Sequence, residues 1–138
     1  FGDGKYHICP IYVDDLAEIM VNEGAKTENN IINALGPEDY TYRELVKMIA
    51  DALGVNRPVM SIPPALGYFV SRVVGLFTGD VFVTKEEIKG LMADLLHVQG
   101  AEPTGKTKLS EWVVKHAKTL GTRYASELAR RKDRKKQY

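Results

Sequence analysis

The chain has 138 residues, 44% of them hydrophobic and 27% charged, with a formal net charge of +1. These proportions fit a globular chain able to bury one core of ordinary size. A single cysteine excludes an intramolecular disulfide framework, and histidines scattered at 7, 97 and 116 show no metal-ligand spacing, so no metal site is expected. Cys9, between Ile8 and Pro10, reads as a buried packing thiol rather than a nucleophile, in a reducing, cytoplasmic setting. The charge is uneven: residues 122–138 carry seven Lys and Arg against Glu127 and Asp133, leaving a mildly acidic body. Such a tail is either a solvated terminus or a weak contact for an anionic surface, with no signal for specific nucleic-acid recognition.

Gly2-Asp3-Gly4 is a turn signal, and residues 7–11, apolar and interrupted by Pro10, predict an edge strand. Asp14 or Asp15 then stands where a helix cap belongs; Leu16, Ile19 and Met20 follow at helical spacing, and Gly24 closes a short helix. Residues 30–35 predict a second strand, ended by Gly36-Pro37. Thr41 with Glu44 has capping-box spacing, and Leu45, Met48, Ile49, Ala52 and Leu53 mark one face of the helix it opens.

Residues 58–62 predict a third strand, leading into Pro63-Pro64, a favourable helix start. Leu66, Phe69, Val70, Val73, Val74 and Phe77 then keep helical spacing. Between Arg57 and Asp80 the only charge is Arg72. This stretch is too short to span a bilayer, and it either belongs to a core or lines an apolar cavity. Thr84 with Glu87 predicts a second capping box, followed by Ile88, Leu91, Met92, Leu95 and Leu96. Thr107 is the expected cap of a helix bearing Leu109, Trp112, Val113, His116, Ala117 and Leu120 on one face. A last helix is expected past Gly121, fraying toward Tyr138.

Three short strands cannot make a doubly wound sheet of their own, and the opening Phe-Gly-Asp-Gly, without an initiator Met, leads us to expect a piece of a longer protein. Residues 10–17, Pro-Ile-Tyr-Val-Asp-Asp-Leu-Ala, resemble the segment "proline, apolar, any, Val, Asp, Asp, apolar, Ala" found late in extended short-chain dehydrogenases of the epimerase/dehydratase type. Residues 31–49, which run from Ile-Ile-Asn-Ala-Leu-Gly-Pro-Glu through Thr41 into a helix, are similar to that family's strand, Gly-Pro-Glu, Thr and helix block. Residues 83–88 and 107–112 look like the closing helices of atypical members, including the group related to the short-chain-fold accessory subunit of respiratory complex I. The order of these segments, covering at least residues 1–54, carries the resemblance.

The resemblance implies an α/β fold: the mostly helical, substrate-side C-terminal portion of a Rossmann-type short-chain dehydrogenase. About three short strands and five to six helices are expected, with residues 1–121 forming the substrate side and 122–138 a basic helix or tail. It also implies a parent oxidoreductase or epimerase holding NAD or NADP in an N-terminal Rossmann domain. This chain has no glycine-rich dinucleotide loop, and no tyrosine is followed four residues later by lysine; Tyr68 with Arg72 comes nearest. Neither a bound cofactor nor catalytic residues are therefore expected in it. Where nucleotide-sugar epimerases carry an arginine ahead of the Val-Asp-Asp segment, this chain has Ile8, which cannot pair with phosphate.

An apolar small-molecule substrate is the better expectation, with His7, Tyr12, Tyr68 and Arg72 as candidate contacts. Asp14, Asp15, Thr41, Glu44, Thr84 and Thr107 are read as structural caps. Plain core packing is the competing reading of His7, Tyr68 and His116, while His97 is placed near a helix end. The alternative function is a non-catalytic nucleotide- or lipid-binding or assembly module of the same fold. Unpaired strand edges and an uncovered apolar face also predict a homodimer.

Overall fold

Capping chemistry decides where several of the helices begin. A computed structural model, describing residues 1–133, shows an α/β chain, mostly helical, with six helices and one two-stranded sheet among those residues. In chain order these are β1 (His7–Ile8), α1 (Val13–Gly24), β2 (Tyr40–Thr41), α2 (Tyr42–Ala52), α3 (Pro64–Thr78), α4 (Lys85–Met92), α5 (Leu109–His116) and α6 (Glu127–Lys132). Arg134, Lys135 and Lys136 of the basic tail, and the fraying expected toward Tyr138, lie outside the described residues.

Thr41 opens α2 with a reciprocal box: its Oγ1 accepts from the Glu44 amide at 3.2 Å, and Glu44 Oε2 accepts from the Thr41 amide at 2.9 Å. Thr84 and Glu87 repeat the pattern at α4, at 3.2 and 2.8 Å. Each pair satisfies two amides that have no partner inside a helix. Pro64 occupies the first turn of α3, and Gly79 ends it in the left-handed conformation, donating to the Gly75 carbonyl.

Two expected caps are corrected. The residue preceding α1 is Tyr12, with no side-chain cap; Asp14 and Asp15 lie inside the first turn, where their charge complements the helix dipole. Asp15 directs its carboxylate elsewhere, accepting from the amides of Lys106 and Thr107, both at 2.7 Å, and from the Thr107 hydroxyl at 3.0 Å. Thr107 is thereby drawn off its expected duty, and α5 starts after Lys108 without a cap of its own. Glu38 supplies one from a distant segment: its carboxylate accepts from the Ser110 amide at 2.9 Å and from the Ser110 hydroxyl. Two carboxylates from the first third of the chain therefore hold the 106–110 corner.

The strands are fewer and shorter than expected. β1 and β2 pair antiparallel, His7 opposite Thr41 and Ile8 opposite Tyr40. Their neighbourhood continues through Tyr42 N–H to the Tyr6 carbonyl, Arg43 N–H to the Gly4 carbonyl and the Gly2–Ile62 bridge. Residues 30–35 form no ladder, and Ile31 is 96% exposed. Leu35 is instead pinned by Thr104, whose hydroxyl accepts the Leu35 amide and whose own amide donates to the Leu35 carbonyl. Gly36 lies so close to Pro10 that a Cβ there would sit 1.8 Å from the Pro10 carbonyl oxygen. Within residues 58–62 only Ile62 is bridged. Arg43 ties that segment down through the Val59 carbonyl, the Ser61 hydroxyl and, on its other side, the Asp3 carbonyl.

α2 packs on α5 and on β2. Among the described residues the buried apolar side chains are Tyr6, Leu35, Ile88 and Val113, and no large side chain is completely buried. That is a thin core for a chain of ordinary apolar content, and most large hydrophobics of α3 stand outside it.

Candidate functional site

α3 is inside out. Its buried residue is Gly67, pressed so tightly that a Cβ there would come within 2.5 Å of the Phe1 ring and 3.0 Å of Ile62. One and two turns on, Ser71 is half-buried and Gly75 abuts the Asp80 carbonyl. Positions 67, 71 and 75 form one face at helical spacing, so the helix sits on the body through its smallest side chains. Its large apolar residues point away: Leu76 is 80% exposed and Phe77 88%.

Those residues divide into two stripes. Ala65, Tyr68, Phe69, Arg72, Val73 and Leu76 face α4 and line an open groove of about 670 Å³ with Pro64, Lys85, Ile88 and Lys89. Leu66, Val70, Val74 and Phe77 form a second, uncharged stripe that is exposed along its length. The groove's floor is apolar, and its charged lining residues, Arg72, Lys85 and Lys89, are all cations. The Lys85 ammonium lies over the Tyr68 ring, 5.2 Å from its centre, a cation–π contact. The Thr84–Glu87 box fixes the start of α4, which places Lys85, Ile88 and Lys89 on the groove side.

The four expected contact residues do not converge. Tyr68 and Arg72 share the groove, whereas Tyr12 lines a separate apolar hollow of about 270 Å³ with Pro10, Ile11, Leu109 and Trp112. The Tyr12 and Trp112 rings are 6.5 Å apart, and His116 stacks on Trp112 at 4.2 Å with its Nδ1 2.7 Å from the Trp112 carbonyl oxygen. A hydrogen bond to Asp14 raises the Tyr12 phenol above its ordinary value.

His7 belongs to a third place, to which no motif in the sequence pointed. Its Nδ1 lies 3.2 Å from both carboxylate oxygens of Asp39, and His97 Nε2 lies 3.4 Å from Asp39 Oδ2. The two imidazole rings are 5.0 Å apart. Cys9 Sγ stands 3.4 Å from Asp39 Oδ1. Burial, with the carboxylate beside it, pushes the Cys9 thiol up to about 11 and keeps it protonated at neutral pH. Burial raises the Asp39 carboxyl, but hydrogen bonds from His7 and Cys9 and the nearby imidazoles outweigh it and bring the group below its ordinary value.

Asp94 organises the backbone here. It is the one non-glycine residue with positive φ, 53°, among those described, a conformation that costs about 1 kcal/mol and that Asp tolerates better than most. Its carboxylate accepts from the His7 amide at 2.6 Å, and its carbonyl accepts from the His97 amide at 3.2 Å. The Cys9 amide donates to the Leu96 carbonyl at 3.3 Å. His97 therefore faces His7 rather than completing a helix end, because α4 stops at Met92 and the chain turns through 93–96. Positions 7, 39 and 97 are too far apart for any spacing rule to have joined them.

No helix among the described residues is long and apolar enough to cross a membrane. Compared with models of protein families, with curated proteins and with solved structures, the chain matches none.

Proposed function

We propose that this chain is the substrate-side, C-terminal portion of an epimerase/dehydratase-type short-chain dehydrogenase, and that the α3–α4 groove receives an apolar substrate bearing an anionic head. The inside-out packing of α3 carries this reading. A helix that seats glycine and serine on its own domain and turns Phe, Val and Leu outward leaves apolar surface for something else to cover. Two stripes mean two coverings. The groove stripe carries Arg72 and faces Lys85 and Lys89, which suits an acyl or isoprenoid body with a carboxylate or phosphate. The uncharged stripe of Leu66, Val70, Val74 and Phe77 suits a neutral protein surface, which in this reading belongs to the nucleotide-holding portion of the parent.

Within the parent, this portion would bind and orient the substrate while NAD or NADP, held by the other portion, supplied the redox chemistry. A second reading, a non-catalytic lipid-binding or assembly module of the same fold, draws on the groove's lining. It brings together cations, a phenol and apolar carbon, with no carboxylate or imidazole among the described lining residues to serve as a base.

Titration of the chain with a fluorescent long-chain carboxylate tests the groove. One-to-one saturable binding is expected, weakened about tenfold or more by Arg72→Glu combined with Lys89→Glu, since charge-assisted contacts carry roughly this much. Absence of saturation, or affinity unchanged in the double variant, would overturn the assignment. Coexpression with upstream sequence separates the two readings: a cofactor-dependent reaction supports the dehydrogenase, and ligand binding without turnover supports the module.

A further inference from the structure

We propose that His7, Asp39 and His97 form a binding site for a zinc-class divalent cation, independent of the α3–α4 groove. Each residue offers one ligand atom, and the three atoms lie within 4.8 Å of one another. Two imidazole nitrogens and a carboxylate oxygen are donors of the borderline hardness that zinc selects.

The separations are long for charge-assisted hydrogen bonds and suit the ligands of one ion as well. His7 Nδ1 is equidistant, at 3.2 Å, from both oxygens of Asp39, and His97 Nε2 is 3.4 Å from Oδ2. Charge-assisted N–H to carboxylate bonds close to about 2.8 Å. Ligand atoms sharing a tetrahedral zinc, each about 2.05 Å from it, stand about 3.3 Å apart. The observed nitrogen–oxygen separations are close to the edges of such a tetrahedron, and the two imidazole nitrogens, within 4.8 Å of each other, would draw together on a bound ion.

The backbone is arranged so that the two histidines meet. Asp94 takes the His7 amide on its carboxylate and the His97 amide on its carbonyl, and it adopts a left-handed conformation in doing so. The site is also open: the side chains of His7 and Asp39 are 43% and 46% exposed, and that of His97 22%. An ion can enter from solvent and keep a fourth position for water or an incoming ligand. Cys9 borders the site without belonging to the three-atom cluster. Because the ligands come from β1, from the approach to β2 and from the turn after α4, a bound ion would staple three separate stretches of chain.

Calorimetric titration of the metal-free full chain with zinc chloride tests the site, with cobalt(II) absorption reporting geometry. One equivalent should bind, with the intense visible bands of four-coordinate cobalt, and should raise the melting temperature until that equivalent is filled. Asp39→Asn and His97→Gln should each weaken binding by at least about tenfold, whereas His116→Gln and Cys9→Ser should change it less than about threefold. Equal binding in wild type, Asp39→Asn and His97→Gln would overturn the proposal, and loss of binding in Cys9→Ser would overturn the three-ligand assignment. Should a variant fail to fold, the imidazole resonances of the wild type decide: one equivalent of zinc should shift those of His7 and His97 and leave His116 in place. Movement of all three, or of none, refutes the site.

Discussion

Tyr6→Phe should stabilise this protein, although it removes a hydroxyl from one of the four buried apolar side chains of the core. Tyr6 is only 6% exposed, its ring lies 5.2 Å from that of Tyr42, and its hydroxyl is buried without a hydrogen-bond partner among the described residues. An unpaired buried hydroxyl costs about 1–3 kcal/mol of desolvation that the unfolded chain does not bear. Phenylalanine keeps the ring and drops that cost, leaving a small void, so a net gain of about 1 kcal/mol is expected at pH 7. The alkaline limb sharpens the test. Burial first, then the charges of Tyr42 and Asp3, raise the Tyr6 phenol from 10 to about 12. The folded state thus keeps its proton where the unfolded state has lost it, so wild-type stability is intact below pH 10 and is lost as pH rises toward 12. The displacement is worth on the order of 3 kcal/mol. A phenylalanine ring cannot titrate, so the advantage of the variant should widen by up to about 1.4 kcal/mol per pH unit above about 10. Urea unfolding of both proteins at neutral pH and at two alkaline values, the higher one above the ordinary phenol pKa, measures it. Destabilisation by more than about 1 kcal/mol at neutral pH would mean that the Tyr6 hydroxyl has a partner, and a difference that stays flat with pH would mean that burial does not raise the phenol.

Thr41→Ala and Thr84→Ala each break a capping box, and each should cost about 1 kcal/mol in urea unfolding; the Thr84 change should also loosen the groove wall, read as weaker binding of the fluorescent carboxylate. The amides of Thr107 and Lys106 and the Thr107 hydroxyl hold the Asp15 carboxyl below its ordinary 3.8. Its contribution is therefore present above that pH and fades as pH falls through the depressed value, so Asp15→Asn should be less stable than wild type at neutral pH and converge with it in acid, with faster amide exchange at Lys106 and Thr107. The chain alone should self-associate through the stripe of Leu66, Val70, Val74 and Phe77, giving twice the 15.4 kDa monomer mass by light scattering at micromolar concentration. Phe77→Asp should return it to monomer, and a monomeric wild type would refute the role given to that stripe.

What the sequence made legible was chemistry closed within one helical turn. Thr41 with Glu44 and Thr84 with Glu87 need only neighbours three residues away, and Pro64 and Gly79 act through their own backbone. What it hid was chemistry borrowed from afar. Asp15 reads as a cap because its own helix starts beside it, yet residues 106–107 compete for the same oxygens and win with three hydrogen bonds. Residues 30–35 have strand composition, but a strand exists only when another backbone answers it along its length, and here Thr104 and Gly105 answer Leu35 at its end. The periodicity of 64–77 correctly indicated a helix, but period says nothing about which face is turned inward. That is decided by Gly67 against Phe1 and Ile62, the first of these a contact across more than sixty positions of chain.

The same contact bears on why α3 can serve two surfaces at once. Three faces of one helix are occupied differently: glycine and serine against the body, an apolar and cationic stripe on the groove, and an uncharged stripe on the open side. A stripe carrying Arg72 is a poor surface for a neutral protein interface, because burying the guanidinium without a partner is costly. A stripe without charge is a poor anchor for an anionic head. The single charge between Arg57 and Asp80 therefore assigns the two faces, and reversing it separates them experimentally. Arg72→Glu should weaken binding of a long-chain carboxylate while leaving association through Val70 and Phe77 intact. Loss of both together would show that the stripes form one surface, and the division of labour proposed for α3 would fail.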